Sequence, residues 1–524
     1  MKKLSVRKDS YFDSVFLMLL SKKLKESGGV ADAVVAMGTP MNLELLASQG
    51  YSAADLAGAT PNDLVMAVDC ADESAVKAAL DAAALLLERK AVKAGFGSTP
   101  DPTSLNAALE ALPGANLAVI SLPGVHAARE ARKCLERGLH VMLFSDNVSL
   151  EDEIALKELG REKGLLVMGP DCGTAIINGK PLCFANMVRR GPVGVVAASG
   201  TGLQEVTCLV DRFGSGISQA IGTGGRDLKN AKVGGITMLM GIAALSRDPE
   251  TKVMVVISKP PAADVADKVV AALGAAGKPA VVHFIGREAP AAGSAPTSVR
   301  FAGNLEEAAS MAVALAGGAA PGHEAAGTAD AAAVDRIAAR ETARLAKGQR
   351  YLRGYYTGGT VADEAMILLH RLTGRVFSNN QTDKAFVLPD PKRSVEHTVV
   401  DLGDDVFTLG RPHPMIDPST RTERILAEVD DPSIAVVLVD VVLGYGSHED
   451  PAGALVPALV AARQAAAKRG GYLPVIASVI GTGGDFQGFA GQVATLEAAG
   501  CIVMPSNFRA AKLAARIVEM AAAR

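Results

Sequence analysis

The chain has no tryptophan, few aromatic residues and no excess of basic residues. Its 53 Lys and Arg nearly cancel 56 Asp and Glu, which leaves a formal charge of -3. That balance argues against general nucleic-acid binding. The only N-terminal apolar run, Val15 to Leu20, is too short to cross a membrane and has no cleavage site after it. We expect no nucleic-acid partner, no membrane segment and no targeting signal.

Cysteine is also sparse, and its six residues lie far apart in the sequence: Cys70, Cys134, Cys172, Cys183, Cys208 and Cys501. No CxxC pair occurs, and no histidine lies at metal-ligand spacing. This pattern indicates a reduced, cytoplasmic protein without a structural metal. Cys172 has no basic partner nearby in sequence, so we expect it to be a buried small hydrophobic residue.

What the chain does contain is typical of a large α/β protein. Its 524 residues predict roughly three domains, and 49% of them are hydrophobic. Short apolar runs alternate with Ala-rich helical stretches, a pattern that favours βα units around parallel sheets. The predicted buried strands include residues 33–36, 117–120, 141–144, 193–196, 253–256 and 435–439.

Two interruptions of this pattern suggest domain boundaries. Around residues 317–345, Ala, Gly and charged residues replace the alternation, and Pro321-Gly322 breaks it. A polar turn at 189–192 precedes a new strand. The predicted organisation is a Rossmann-like, CoA-binding-like domain over 1–188, a first flavodoxin-like domain over 189–320, a linker over 321–344, and a second flavodoxin-like domain over 345–524.

Glycine turns at strand ends are the strongest functional signal. A predicted strand leads into Ser199, Gly200 and Thr201 and then into a helix, and Gly358, Gly359 and Thr360 open another helix in the same way. Such turns present free N–H groups to an anion, although ordinary N-caps have the same composition. Further glycine loops at 222–227 (with Gly224 and Gly225), 444–448 and 481–485 support a shared anionic site. The first domain lacks GxGxxG, so a dinucleotide site there is not supported.

Several of these phrases resemble a known family. Residues 169–174, 199–201 and 222–225 resemble, in order, the α-subunit of succinyl-CoA synthetases, and residues 345–524 are similar to the C-terminal ligase domain of the β-subunit. The FdrA family is the best match, through residues 169–184, 198–205, 410–417 and 444–448. The resemblance implies a Rossmann-like domain followed by two flavodoxin-like ligase domains with parallel sheets.

The sequence also departs from the synthetases. In those enzymes the resemblance implies two helix starts that face each other across a phosphorylated histidine. This chain has no histidine in the matching phrase at 286–293, and Lys259 replaces the supporting glutamate. It also lacks an ATP-grasp domain. These departures predict that CoA and ATP are not substrates, and that Lys259 makes the site a plain cationic one.

The FdrA resemblance implies a carbamoyltransferase subunit in ureide (allantoin and purine) breakdown. The reaction would link oxalurate and phosphate to oxamate and carbamoyl phosphate, with partner subunits or a homo-oligomer, and with no cofactor besides these anionic substrates. Two alternatives stay open: an acyl-CoA synthetase, and a non-catalytic scaffold or sensor derived from one.

The candidate catalytic residues are Lys259, Arg411 and His413. Prolines stiffen the Arg411-Pro412-His413-Pro414 phrase, which would direct a guanidinium to a carboxylate or phosphate and an imidazole to a carbonyl. The alternative is a rigid loop with an Arg411–Asp417 ion pair. Arg226 either reaches the anion or pairs with Asp227, and His448 is expected to line the site.

Overall fold

The computed structural model describes residues 1–10, 12, 14–25, 27–56, 58–93, 102–291, 293–318, 323–409 and 411–524. These residues form two compact units. The first contains Met1–Ala111 and Thr408–His413, and the second contains Leu112–Phe407 and Pro414–Arg524. No helix in the described part of the chain is both long and apolar enough to cross a membrane. Of the predicted linker, residues 321 and 322 lie outside the described residues.

The first unit is built on a small antiparallel sheet. Its elements are β1 (Lys2–Arg7), α1 (Ser14–Lys25), β2 (Val30–Met37), α2 (Pro40–Ser48), α3 (Ala53–Leu56), β3 (Leu64–Cys70), α4 (Glu73–Lys93) and α5 (Leu105–Ala111). The strand order is β1-β3-β2, with both pairings antiparallel. This arrangement differs from the Rossmann-like parallel sheet expected from residue 1. Alternating strands and helices in a sequence do not determine whether neighbouring strands run parallel. Here β3 lies between β1 and β2 and runs antiparallel to both.

Parallel strands begin in the second unit. Its first sheet, in the order β4-β5-β6, is parallel. The elements of this part are β4 (Leu117–Ile120), α6 (Gly124–Glu136), β5 (His140–Leu143), α7 (Leu150–Lys163) and β6 (Val167–Met168). The strands predicted at 117–120 and 141–144 are confirmed as strands, the second beginning and ending one residue earlier than predicted. The burial predicted for 117–120 is wrong, because Val119 is 51% exposed and only Ile120 is buried.

A seven-stranded sheet follows, in the order β13-β12-β11-β9-β10-β7-β8. Its elements are β7 (Thr174–Ile177), β8 (Lys180–Cys183), β9 (Arg190–Ala198), α8 (Gly200–Arg212), β10 (Ile217–Gly222), α9 (Arg226–Lys229), α10 (Ile236–Arg247), β11 (Val253–Ser258), α11 (Ala263–Ala275), β12 (Ala280–Phe284), β13 (Val299–Phe301) and α12 (Leu305–Leu315). Strands β7 and β8 precede the boundary predicted at residue 189, yet β7 pairs with β10 of this sheet. The polar turn at 189–192 therefore marks the start of β9 within this seven-stranded sheet.

The last sheet is fully parallel, in the order β15-β14-β16-β17-β18. Its region contains α13 (His323–Thr342), β14 (Tyr351–Tyr356), α14 (Gly359–Thr373), a 3₁₀ turn (Lys384–Phe386), β15 (Thr398–Asp401), α15 (Asp405–Thr408), α16 (Ser419–Leu426), β16 (Ile434–Val442), α17 (Pro451–Lys468), β17 (Val475–Ile480), α18 (Phe489–Ala498), β18 (Ile502–Met504) and α19 (Asn507–Ala522). The α/β class with parallel sheets is confirmed.

Most of the predicted linker is the helix α13. Val334 and Ala338 of this helix are buried in the same core as Ala514 of α19. Thr342 donates a hydrogen bond to the Ile517 carbonyl, and Arg516 pairs with Asp335 at 2.7 Å. The Ala-rich composition that suggested a linker therefore forms a packed helix, because alanine both favours helix and fits a close helix contact.

Candidate functional site

Helices α8 and α14 meet at their N-termini. The Ser199 hydroxyl donates to Thr360 Oγ1 at 2.9 Å, and the Thr360 N–H donates to Thr201 Oγ1 at 3.2 Å. All three side chains are buried. The two glycine turns singled out in the sequence therefore lie together in one unit. Anion binding at this junction stays a prediction.

Glycine allows this close approach. A Cβ on Gly358 would lie 2.7 Å from Thr201 Cγ2, and a Cβ on Gly202 would lie 2.9 Å from Thr360 Cγ2. Real Cβ atoms do not come this close to other heavy atoms, so a larger residue at either position would push the helices apart. Gly200 differs, because its nearest neighbour would be Thr174 Oγ1 at 3.8 Å.

A buried carboxylate holds the turn before α14. Asp440 of β16 accepts hydrogen bonds from the N–H groups of Thr357 and Gly358, both at 2.9 Å, and from the Thr357 hydroxyl at 3.0 Å. Arg421 pairs with Asp440 at 2.9 Å, and both side chains are buried. Sequence reasoning missed this pair. The signal was available, because Asp440 interrupts the apolar strand of residues 434–442.

Lys259 lies beside this junction, but its charge is balanced. Its ammonium pairs with Asp363 of α14 at 2.8 Å. Burial by itself would lower the pKa of Lys259, yet Asp363 and Asp401 together raise it above its ordinary value. Burial raises the pKa of Asp401 to about 6, and Lys259 opposes that rise. The expected plain cationic site thus contains two carboxylates.

Asp401 also lies against the start of α14. A Cβ on Gly359 would be 2.5 Å from Asp401 Oδ2, so glycine is required for this approach. The same oxygen accepts a hydrogen bond from Asn380 at 2.9 Å, and Asp401 Oδ1 accepts from the Gly403 N–H at 2.9 Å. An internal carboxylate therefore occupies part of the space next to this helix N-terminus.

The loop with Gly224 and Gly225 packs on the loop around Pro170. Gly224 has φ +84°, and a Cβ there would meet the Pro170 carbonyl oxygen at 2.3 Å. Arg226 pairs with Glu153 at 2.7 Å rather than with Asp227.

Asp227 pairs instead with Lys157 at 2.8 Å, and both of these side chains are fully buried. Lys157 also donates to the Thr223 carbonyl at 3.0 Å. The two sequence-based expectations for Arg226 were anion binding and a pair with Asp227. Neither included the contacts with Glu153 and Lys157, because these residues lie about 70 residues earlier in the chain.

Three predicted site residues remain: His448, Arg411 and His413. His448 accepts a hydrogen bond on Nδ1 from the Asp450 N–H at 3.0 Å, just before α17 begins. Arg411 is exposed and His413 is half-buried, and burial lowers the pKa of His413 to about 4. Both lie in Thr408–His413, which belongs to the first unit, whereas Lys259 belongs to the second.

Cys172 and His283 are two further buried residues of the second unit. Cys172 is 3% exposed, and burial raises the pKa of its thiol to about 12, which confirms its prediction as a small hydrophobic residue. All six cysteines are free. His283 at the end of β12 contacts the Ala302 carbonyl through Nδ1 at 2.8 Å, and burial lowers its pKa.

Three family models match the chain. A model described as "AllF, heavy metal-associated domain" matches residues 1–102, a CoA binding domain matches residues 188–286, and CoA-ligase matches residues 355–517. The CoA-binding match covers β9 to β12, and the CoA-ligase match covers most of β14 to α19. The first match covers the antiparallel sheet of the first unit.

The chain is also similar to individual known proteins. The uncharacterized protein YahF of Escherichia coli is 44% identical over 98% of both chains. The α-subunit of the ADP-forming succinate–CoA ligase of Aquifex aeolicus is 28% identical over 28% of this chain and 48% of its own length. The apo dinucleotide-forming acetyl-coenzyme A synthetase 1 of Ca. Korarchaeum cryptofilum is 17% identical, covers 83% of this chain and 92% of its own, and has a TM-score of 0.34.

Residues 1–102 do not supply the thiolates and imidazoles of a heavy-metal site. Soft metals are held by thiolates, thioethers and imidazoles, and of the thiolate and imidazole donors residues 1–102 contain no histidine and only one cysteine, Cys70. That cysteine is 2% exposed, and burial raises the pKa of its thiol. Within the described ranges, no group of three or more His, Cys, Asp or Glu side chains could hold a metal ion.

Proposed function

The chain belongs to the FdrA-like family that includes E. coli YahF, and on that premise we propose that it transfers a small acyl group between phosphate and an acceptor. The observation that carries this proposal is the junction of α8 and α14 at Ser199 and Thr360. Two helix N-termini at one place bring together partial positive charges and backbone donors. An acyl phosphate supplies the negative charge that such a junction favours.

Phosphate would bind beside the junction through the first-turn N–H groups of Gly200 and Gly359 and through Lys259. Lys259 is one-third exposed and already paired with Asp363. Phosphate therefore competes with Asp363 for the ammonium. This exchange would make Lys259 a switchable ligand, released from Asp363 when phosphate enters.

CoA is the acceptor that the comparisons favour, although the sequence alone argued against it. The CoA binding and CoA-ligase models match 188–286 and 355–517, the two regions that supply the paired helices. In this reaction the CoA thiolate attacks the acyl carbon of an acyl phosphate. A thioester forms, the acyl–oxygen bond breaks, and phosphate leaves.

Carbamoyl transfer is the second candidate, and the missing histidine favours it. The phrase after β12 reads Gly286-Arg287-Glu288-Ala289 and contains no histidine. Carbamoyl phosphate already carries an activated carbonyl, so orientation and oxyanion stabilisation suffice. The oxamate nitrogen attacks that carbonyl, a proton leaves the nitrogen, and the products are oxalurate and phosphate.

One experiment separates these candidates. The full chain, with and without proteins encoded beside it, is supplied with succinyl phosphate plus CoA or with carbamoyl phosphate plus oxamate. Lys259→Ala should slow the active reaction. Lys252→Ala, at an exposed lysine directly before β11 and therefore at the opposite end of that strand from Lys259, should leave it unchanged. Turnover of neither pair, together with no phosphate binding in calorimetry, would support a scaffold and overturn the proposal.

A further inference from the structure

The N-terminus of α19 gathers carboxylates from three other helices. Glu306 of α12 accepts hydrogen bonds from the Ser506 hydroxyl and from Arg509 Nε, the latter at 2.7 Å. Glu205 of α8 and Glu364 of α14 both reach Asn507, the first residue of α19. A helix N-terminus offers backbone N–H donors to such carboxyl groups. Here the groups are internal, and they come from both of the paired helices.

Glu205 and Glu364 hold equivalent positions in their helices. Glu205 lies six residues after the cap Ser199, and Glu364 lies six residues after the cap Gly358. The Asn507 backbone N–H donates to Glu205 Oε1 at 3.0 Å, and its side-chain amide donates to Glu364 Oε2 at 2.7 Å. One residue therefore contacts the same point of both helices.

Asn507 is itself fixed on every side. Its side chain is fully buried, its Oδ1 accepts a hydrogen bond from the Tyr356 hydroxyl at 3.0 Å, and its Nδ2 also donates to the Val361 carbonyl at 2.9 Å. Tyr356 ends β14, directly before the turn into α14. An asparagine supplies the donor for Glu364 and the acceptor for Tyr356 at once, which neither Asp nor Leu does.

We propose that Asn507 is a positioning residue that sets α8 and α14 relative to each other, so that Ser199 meets Thr360. Its importance for phosphate binding rests on the function proposed above. The alignment of the two helices by Asn507 is independent of that function. Asn507 makes no contact with substrate in this role.

The alignment is measured without any ligand. In a Ser199→Cys/Thr360→Cys background, the rate of disulfide formation under a mild oxidant, followed by peptide mass spectrometry, reports how often the two positions meet. Asn507→Ala should lower this rate by about tenfold, because two of the tethers between α19 and the helices are lost. Ser506→Ala is the matched control. It removes the cap of α19 and one of the two contacts of Glu306, and it leaves the Glu205 and Glu364 contacts in place.

A rescue variant separates alignment from general destabilisation. Asn507→Asp puts a carboxylate next to Glu364 and should lower the rate as well. Combining it with Glu364→Gln reverses donor and acceptor at the Glu364 contact and should restore part of the rate, because the Val361 carbonyl still lacks its donor. This comparison also decides the matter if Asn507→Ala does not fold. Equal rates in Asn507→Ala and Ser506→Ala, or no rescue by the double variant, would overturn the proposal.

Calorimetry with inorganic phosphate on the chain with native Ser199 and Thr360 then tests the link to function. Asn507→Ala should weaken binding more than Ser506→Ala does. If wild type does not bind phosphate while the disulfide rates follow the expected order, the proposed function fails and the positioning role stands.

Discussion

Thr201 and Thr360 occupy corresponding positions in two helices and are joined directly, since the Thr360 N–H donates to the Thr201 hydroxyl at 3.2 Å. Each helix N-terminus carries about half a positive charge, so the contact places like charges together. Asp401 and Asp440 lie against the α14 end of this contact. Buried carboxylates therefore offset a repulsion that the helix pairing creates.

Lys259 and Asp363 should have opposite effects on phosphate affinity. Lys259→Ala removes the side-chain cation beside the start of α14 and should weaken binding at least about tenfold, the value of one charge-assisted hydrogen bond. Asp363→Asn removes the competitor for Lys259 and should strengthen binding severalfold. Calorimetry with inorganic phosphate measures both. Weaker binding in Asp363→Asn would show that this carboxylate orients Lys259 rather than competing for it.

Gly358 and Gly200 should respond differently to the same added methyl group. Gly358→Ala places a Cβ 2.7 Å from Thr201, whereas Gly200→Ala meets nothing closer than 3.8 Å. Overpacking of this kind costs about 1–3 kcal/mol. We expect a lower thermal midpoint and weaker phosphate binding for Gly358→Ala, and little change in the thermal midpoint for Gly200→Ala. Equal melting curves for both variants would contradict the close helix contact.

Glu205 should make the stability of the folded chain depend on pH. Burial raises its pKa to about 8 in the folded protein, whereas an unfolded glutamate titrates near 4.5. Between these values the folded state holds a proton that the unfolded state has lost. Its stabilising effect is therefore complete below pH 4.5 and is lost as pH rises towards 8, by about 1.4 kcal/mol per pH unit.

Glu205→Gln should remove this slope, because the amide stays neutral and still accepts from Asn507. Urea unfolding of wild type and Glu205→Gln at pH 5.5, 7 and 8.5 is the measurement. Glu519→Gln, near the end of α19 at a partly exposed carboxylate paired with Arg516 at 3.3 Å, serves as the control. The account fails if Glu205→Gln keeps the slope of wild type.

The first unit should not bind heavy-metal ions stoichiometrically. Residues 1–102 offer one thiol, and that thiol is buried. Metal analysis after incubation with Cu(I) or Zn(II) should give well under one ion per chain at residues 1–102, and Cys70→Ser should not change the result. One tightly bound ion that disappears in Cys70→Ser would contradict this expectation.

The sequence predicted the α/β class and the two glycine turns because both are local. The strand before Ser199 and the helix after Gly358 follow from apolar runs and turn residues within ten positions. The partners of Lys259 and Arg226 are not local. Asp363 lies 104 residues after Lys259, and Glu153 lies 73 residues before Arg226. No periodicity relates such distant residues, so their pairing appears only in the folded chain.

Strand direction is a second feature that could not be predicted from the sequence. Val34 and Val35 read as part of a buried strand. They lie in β2, where Val35 is buried and Val34 is only partly buried, and the same run suits a parallel or an antiparallel sheet. The order β1-β3-β2 depends on where the chain returns after α2 and α3. The sequence carries no local signal for that choice.

Helix α13 affects how the pairing of α8 with α14 depends on protein concentration. Packed against α19 through Val334 and Ala338, it connects the segment containing α8 with the segment containing α14 inside one polypeptide. In the synthetases that the sequence resembles, the corresponding helices come from separate subunits. In a single chain their meeting is a first-order event, set by effective concentration rather than by how much protein is present. The junction at Ser199 and Thr360 should therefore survive dilution that would separate a two-subunit enzyme.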